Sequence, residues 1–296
     1  MTMPTRRRFL TLTAAALACP ARAEAPQVWD GRALGAAARI VLTGAPPRHA
    51  RRVFAKVERA LARIEAQFSL HVDSALTRLN RDGRLAHPGP EIVALFDLAD
   101  RVHRATGGAF DPSVQPLWLA LATGGDTAAA RTLVGWERVR VSPEAIRLDP
   151  GMALTFNGIA QGAAADRIAA LMRAEGFGDV LIDVGEIAGL GLSPRGVPWR
   201  AGIVLPDGTE VGRAALRDRA LATSAPGGTR IGSRSGPGSG HILDPRGGAA
   251  RWRLAAVTAP SAALADALST AFCVMDRHQI DAALAAFPQA RLAVLS

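Results

Sequence analysis

Asn157-Gly158-Ile159-Ala160-Gln161-Gly162 opens a segment that reads as a helix to Glu175 and stops at Gly176. Val180-Leu181-Ile182-Asp183-Val184 follows as a buried strand. This is the sharpest unit in the chain, and its neighbours decide the fold class. On its N-terminal side, residues 24–46 carry short apolar runs, of which 36–42 suits an opening strand. Pro46-Pro47 then precedes a helix with Val53, Val57, Leu61, Ile64 and Phe68 on one face. A second helix is predicted near 90–106, with Ile92, Leu95, Phe96, Ala99 and Val102 inward and Gly107 as its stop. Two short strands are expected within 138–155, around a Pro143-Glu144 turn. On the C-terminal side the pattern predicts strands at 199–205, 254–258 and 291–295 and helices at 262–275 and near 278–286. Between them, residues 225–240 form a long loop dense in Gly, Ser and Pro. Helices and strands mix without a strict βαβ alternation and no repeat is visible, so the fold class is α+β.

Composition narrows the chemistry. The 296 residues are 49% hydrophobic and 21% charged, enough for a sizeable core. No segment approaches the roughly 20 uninterrupted apolar residues of a membrane span, so the body is expected to be soluble. The formal charge is +9, but Arg6, Arg7, Arg8 and Arg22 lie in the first 23 residues, which hold no acid. Aromatics are 5% and Tyr is absent, which argues against stacking on single-stranded nucleic acid. Lys56 is the only lysine, so a Schiff-base or Walker-type lysine is excluded in practice. Cys19 and Cys273 form no C-x-x-C motif, and the six histidines show no metal spacing, so a structural zinc site is not expected.

The N-terminus reads as an export signal over residues 1–23. Thr5-Arg6-Arg7-Arg8-Phe9-Leu10 supplies a charged start, residues 12–18 an apolar stretch, and Ala21-Arg22-Ala23 an A-x-A cleavage site. The arginine pair followed by Phe and Leu is similar to a twin-arginine signal, which implies periplasmic delivery. Ala16-Leu17-Ala18-Cys19 offers lipoprotein anchoring at Cys19 as a rival. On the first reading a single domain occupies 24–296.

Four stretches hold residues suited to chemistry, each with a plainer alternative. In Gly107-Gly108-Ala109-Phe110-Asp111-Pro112, the glycines free the backbone beside a ring and a carboxylate; the alternative is an Asp-Pro turn with Phe110 in the core. The helix start at Gly158–Gly162 offers backbone N–H groups to anions, with Asn157 as a plain N-cap otherwise. His241, at the mouth of the glycine-rich loop, is a proton carrier or a solvated residue. Asp266 and Thr270 lie one turn apart and off the apolar stripe formed by Leu264, Leu268, Ala271, Phe272 and Met275. Their hard oxygens suit Mg²⁺, and the alternative is a surface Asp.

Taken in order, these stretches resemble the ApbE family of FAD:protein FMN transferases from Phe68 to Met275. Phe68-Ser69, Asp73-Ser74 and Leu79-Asn80 look like its early flavin-contacting motif. Gly107 to Leu117 is similar to G-G-x-F-D-P-[ST]-V-x-P-L, and Gly158 to Gly162 with Asp166 to G-I-A-K-G-x-x-x-D. Val184-Gly185-Glu186 stands where G-G-[DE] is expected. Ala222-Thr223-Ser224, His241 to Pro245 and Ala265 to Thr270 resemble A-T-S, S-H-I-x-D-P and A-D-A-x-x-T. Gln161 replaces the usual lysine, His71 stands near a position often held by tyrosine, and one glycine of G-G-[DE] is absent.

The resemblance implies a single, T-fold-related domain of mixed sheets and helices. It further implies that FAD is the substrate, that Mg²⁺ is the cofactor, and that FMN passes to a threonine of a membrane-attached acceptor protein with release of AMP. Ala109, Phe110, Asp111, Gln161, His241 and Ile242 are then the flavin contacts. Gly158 (through its carbonyl), Asp266 and Thr270 are the metal ligands, and His241 and Asp266 the catalytic residues. The export signal and Asn-Gly-Ile-Ala-Gln-Gly together look like the NosX-type branch, which serves nitrous oxide respiration. Two other readings stay open: an accessory protein that holds FAD, and an FAD pyrophosphatase.

Overall fold

A computed structural model describes residues 25–232 and 238–296. The expected export signal, with Cys19, lies outside the described residues. The chain opens with an antiparallel pair, β1 (Gln27–Ala33) and β2 (Ala36–Leu42), and then the long helix α1 (Pro47–Phe68). Next come α2 (Ala75–Asp82), β3 (Arg84–Ala86) and α3 (Pro90–Ala105). A 3₁₀ turn at Pro112–Val114 leads into α4 (Gln115–Thr123) and α5 (Thr127–Arg131). Two short strands, β4 (Arg140–Val141) and β5 (Ala145–Arg147), join β3 in a small sheet before α6 (Ala160–Ala174).

The second half is richer in strands: β6 (Val180–Asp183), β7 (Ile187–Leu190), β8 (Trp199–Val204), β9 (Glu210–Leu216) and β10 (Arg219–Ser224). After them come β11 (Arg230–Ile231), β12 (Ser239–Gly240) and β13 (Ala255–Ala259). Helices α7 (Ala262–Phe272) and α8 (Arg277–Ala286) and the strand β14 (Arg291–Leu295) close the chain.

Seven strands form the central sheet in the order β1-β2-β6-β7-β10-β13-β14, and every neighbouring pair is antiparallel. Both faces are covered. Helices α1, α6 and α7 lie on one, and the β8–β9 hairpin packs on the other over Leu181, Leu221 and Ala256. That double cover explains why β13, Ala255-Ala256-Val257-Thr258-Ala259, is buried at every position instead of alternating. The hairpin approaches closely at Gly189, where a Cβ would sit 2.8 Å from that of Leu216, and Trp199 donates its indole N–H to the Leu190 carbonyl at 2.8 Å.

The α+β reading holds, the helix expected after Pro46-Pro47 with Val53 to Phe68 on one face is α1, and the predicted helices at 90–106 and 159–175 fall within a residue or two of α3 and α6. Three sequence expectations are corrected. The opening strand is a hairpin, because β1 pairs with β2 through all seven of its residues. Asn157 is exposed and is not the N-cap of α6; Ile159 takes that position without a side-chain bond. The predicted helix at 262–275 ends at Phe272.

Helix α7 starts on a carboxylate from another element. Asp166 of α6 accepts the backbone N–H groups of Ala262 and Ala263 at 2.7 and 3.0 Å, and the Ser261 hydroxyl at 2.7 Å. Burial pushes the Asp166 carboxyl above its ordinary range, against the pull of these three donors. Ser261 is the N-cap of α7 and accepts the Leu264 N–H at 3.2 Å, and the family-like Asp of the Gly158–Asp166 motif completes that cap from outside the helix that carries Asp266. Asp166→Ala leaves two buried N–H groups without this acceptor, at a cost of about 1–3 kcal/mol. Urea unfolding should show the midpoint falling, with Asp166→Asn recovering part of the loss.

Candidate functional site

The site grows from the crossing of α6 and α7. At Gly162 the two backbones touch: a Cβ there would lie 2.4 Å from the Ala262 carbonyl oxygen and 2.6 Å from Ala263 Cα. Glycine is required, and the closeness lets the Gly162 N–H donate to Asp266 Oδ2 at 3.1 Å. Four residues earlier, a Cβ on Gly158 would press on Thr270 Oγ1 at 3.0 Å. The structure therefore brings Gly158, Asp266 and Thr270 together at one end of the helix pair.

Asp266 is not the surface carboxylate of the plainer reading, since it is only 4% exposed. Helix α7 has no solvent side over most of its length, because α6, β10, β13 and α3 surround it. A buried carboxylate aimed at a helix start is stronger ground for a site than an exposed one would be.

The donor set can be tested against Mg²⁺. A carboxylate, a hydroxyl and a backbone carbonyl are hard oxygens, as this cation prefers, and Gly158 lacks the Cβ that would fill the space beside Thr270 Oγ1. No three His, Cys, Asp or Glu among the described residues are grouped to hold a metal. A single carboxylate with neutral oxygens suits a cation that keeps waters and shares substrate phosphates. The residues present fit the ion.

Gln161 and Gly185 meet next to this group. Gly185 has φ +106°, and a Cβ on it would overlap the Gln161 carboxamide at 2.5 Å, so that side chain lies across the turn after β6. Glu186, 4% exposed, accepts the Thr223 N–H at 3.1 Å and ties that turn to β10.

The expected flavin contacts on the Gly107–Pro112 loop sit differently from one another. Ala109 and Phe110 are each 4% exposed and send their side chains into the main core, so the plainer reading of the Phe110 ring holds. Asp111 accepts from the Ser113 N–H and hydroxyl at 2.8 and 2.6 Å, with His103 Nδ1 3.8 Å away. Burial raises the Asp111 carboxyl, partly offset by the two Ser113 bonds and by His103. The loop is fastened to the approach to Gly158 by the Thr155 N–H, which donates to the Pro112 carbonyl at 2.8 Å.

His241 is half-buried, not solvated as the plainer reading had it. Its Nδ1 lies 3.1 Å from the Pro226 carbonyl and 3.3 Å from that of Thr229. Carbonyls only accept, so Nδ1 carries the hydrogen and the basic lone pair of the neutral ring is at Nε2. Pro226 follows β10 by two residues, so this anchor joins His241 to the strand whose end, Ser224, contacts Thr270 at 3.3 Å. Ile242 packs on the main core. In the same motif Asp244 is held by Arg246, which also reaches the Val274 carbonyl beyond α7.

The early motif serves the fold. Ser74 caps α2 in a reciprocal box with Thr77, and the Asn80 carboxamide both donates to and accepts from the backbone of Leu154. His71 stays on the surface. Sequence reasoning passed over Ser269, whose one visible signal was a hydroxyl among the Ala and Leu of a helix buried nearly all round.

Comparison with known proteins follows the same lines. The ApbE family model matches residues 34–295. The FAD:protein FMN transferase of Salmonella typhimurium is 30% identical over 277 residues, covering 85% of this chain and 79% of the relative. That of Treponema pallidum is 31% identical over 253 residues, 73% of this chain and 69% of the relative. Among solved structures, the ApbE protein of Thermotoga maritima superposes with a TM-score of 0.78 at 24% identity, covering 91% of this chain and 94% of that one. The flavin transferase ApbE of Vibrio cholerae gives 0.75 at 24%, covering 88% and 90%. The structures share the fold, and the family match together with the curated relatives shows that the chain belongs to the ApbE family.

Proposed function

We propose that the protein is a Mg²⁺-dependent FAD:protein FMN transferase that joins FMN to a threonine hydroxyl of an acceptor protein and releases AMP. The convergence of Gly158, Asp266 and Thr270 on the α6–α7 crossing, in a chain of this family, carries the reading. In the balanced step, the threonine oxygen attacks the phosphorus on the riboflavin side of the pyrophosphate. The P–O bond to the AMP phosphate breaks, and the threonine proton passes to a base.

Each group of the chain has a part in this. His241 Nε2 is the base, since Nδ1–H is committed to carbonyls, and the imidazolium formed keeps that hydrogen bond. Asp266, Thr270 and the Gly158 carbonyl would hold the ion, while the Gly162 N–H fixes the Asp266 carboxylate. When bound, Mg²⁺ neutralises pyrophosphate charge and stabilises the leaving AMP. Gln161 across Gly185 gives the flavin a neutral polar contact where relatives of the quoted motif carry lysine. Asp111, internally bonded, shapes its loop, and the backbone of Ala109 and Phe110 lines it.

The proposal extends to place. Residues 1–23 are a twin-arginine signal, 24–296 the transferase domain, and the acceptor a membrane-attached periplasmic protein, in the manner of the NosX-type branch. With Arg6 and Arg7 both changed to Lys, fractionation should find unprocessed precursor in the cytoplasm; normal export would rule the signal out.

Purified protein, FAD, Mg²⁺ and periplasmic extract should yield a fluorescent acceptor band on a denaturing gel and an equivalent of AMP. Free FMN and AMP without a labelled band would mean a pyrophosphatase, and bound FAD without AMP a holding protein. Asp266→Asn keeps shape and an acceptor for Gly162 but removes the charge, so labelling should cease and excess Mg²⁺ should not restore it. His241→Ala should slow labelling by about 10²–10⁴. An unchanged rate would remove His241 from the proton transfer.

A further inference from the structure

Three hydroxyls run in a line beside the site. Ser269, fully buried in α7, donates its hydrogen to the Asp266 carbonyl at 3.0 Å. With that hydrogen committed, Ser269 Oγ can only accept along its 2.7 Å contact with Ser224 Oγ. Ser224 therefore donates to Ser269, and its own oxygen accepts from the Thr270 hydroxyl across 3.3 Å. Ser224 Oγ, at the end of β10, is thus a hydrogen-bonding neighbour of Thr270 Oγ1. A carbonyl at one end thus sets the direction of all three hydrogens.

The line is held rigidly. Cys273 donates its thiol hydrogen to the carbonyls of both Ser224 and Ser269 at 3.4 Å, pinning the end of β10 to α7. Burial pushes that thiol up to about 12, so it stays protonated and remains a donor.

We infer that Ser269 and Ser224 are positioning residues that draw the Thr270 hydrogen inward and turn its oxygen lone pairs toward the space shared with Gly158 and Asp266. A hydroxyl free to rotate presents either a hydrogen or a lone pair; with its hydrogen drawn toward Ser224, this one presents lone pairs only, as a cation requires. The inference rests on the Mg²⁺-dependent function proposed above. It adds two residues that do not touch the ion and a defined polarity among them.

The test reads cation binding directly, with Mn²⁺ as the probe and the free ion followed by electron paramagnetic resonance. Ser224→Ala and Ser269→Ala should each weaken Mn²⁺ binding about 10-fold, at the lower end of what outer partners of metal ligands are worth. The double variant should lose no more than either single one, since the two act in series. Ser224→Thr retains the hydroxyl on a strand end that accepts a β-branched residue, and should restore affinity. Thermal midpoints without cation separate these effects from unfolding. Should Ser269→Ala melt early, the Ser224→Ala and Ser224→Thr pair decides alone. Wild-type affinity in Ser224→Ala, or losses that add in the double variant, would overturn the hydroxyl line. Asp266→Asn is the control for the underlying reading: if it binds Mn²⁺ as the wild type does, the cation site itself is elsewhere.

Discussion

Two helices meet in this protein with no side chain between them, and the rest of the site depends on that contact. Gly162 sets α6 against the first turn of α7 closely enough for a main-chain N–H to reach Asp266 at 3.1 Å. One turn further along α6, Asp166 satisfies the first N–H groups of α7. The two carboxylates are exchanged in opposite senses: α6 lends one to α7's backbone, and α7 lends one to α6's. Neither helix can shift along the other without losing a bond that burial makes costly to lose. A site built from oxygens of both helices inherits this fixed geometry.

The sheet underneath makes the contact possible. Strands β10 and β13 are largely alanine on the side that receives α7, and small side chains let a helix come close. The β8–β9 hairpin seals the opposite face, so the central strands lie in a dry interior and the polar groups brought there must be paired. Ser224, Ser269, Glu186 and Asp266 are such groups. Each is at most 9% exposed and each is hydrogen-bonded.

How much of this was legible in the sequence can be judged residue by residue. Helix α1 announced itself through Val53, Val57, Leu61 and Ile64, because one face is buried and the other wet. Strands β7 and β10 did not, since Ile187-Ala188-Gly189-Leu190 and Arg219-Ala220-Leu221-Ala222-Thr223-Ser224 are poor in the branched and aromatic residues that mark strands. Their small residues answer to close neighbours, which a local pattern cannot show. Spacing alone put Asp266 and Thr270 on one helical face. It gave the wrong environment, because periodicity assumes a wet side and α7 is buried nearly all round. The cap role of Asp166 was hidden for the same reason: its partners are 95 or more positions away in the chain.

The anchoring of His241 has an evolutionary corollary. The imidazole and its own N–H are both held by main-chain carbonyls, those of Pro226 and Thr229. A carbonyl is present whatever side chain a position carries. The side chain at Thr229 can therefore change without moving the ring, whereas Gly240 is fixed, since a Cβ on it would lie 2.7 Å from the Pro226 carbonyl oxygen. Lineages of this protein can exchange the side chain at the Thr229 anchor while the imidazole stays where it is.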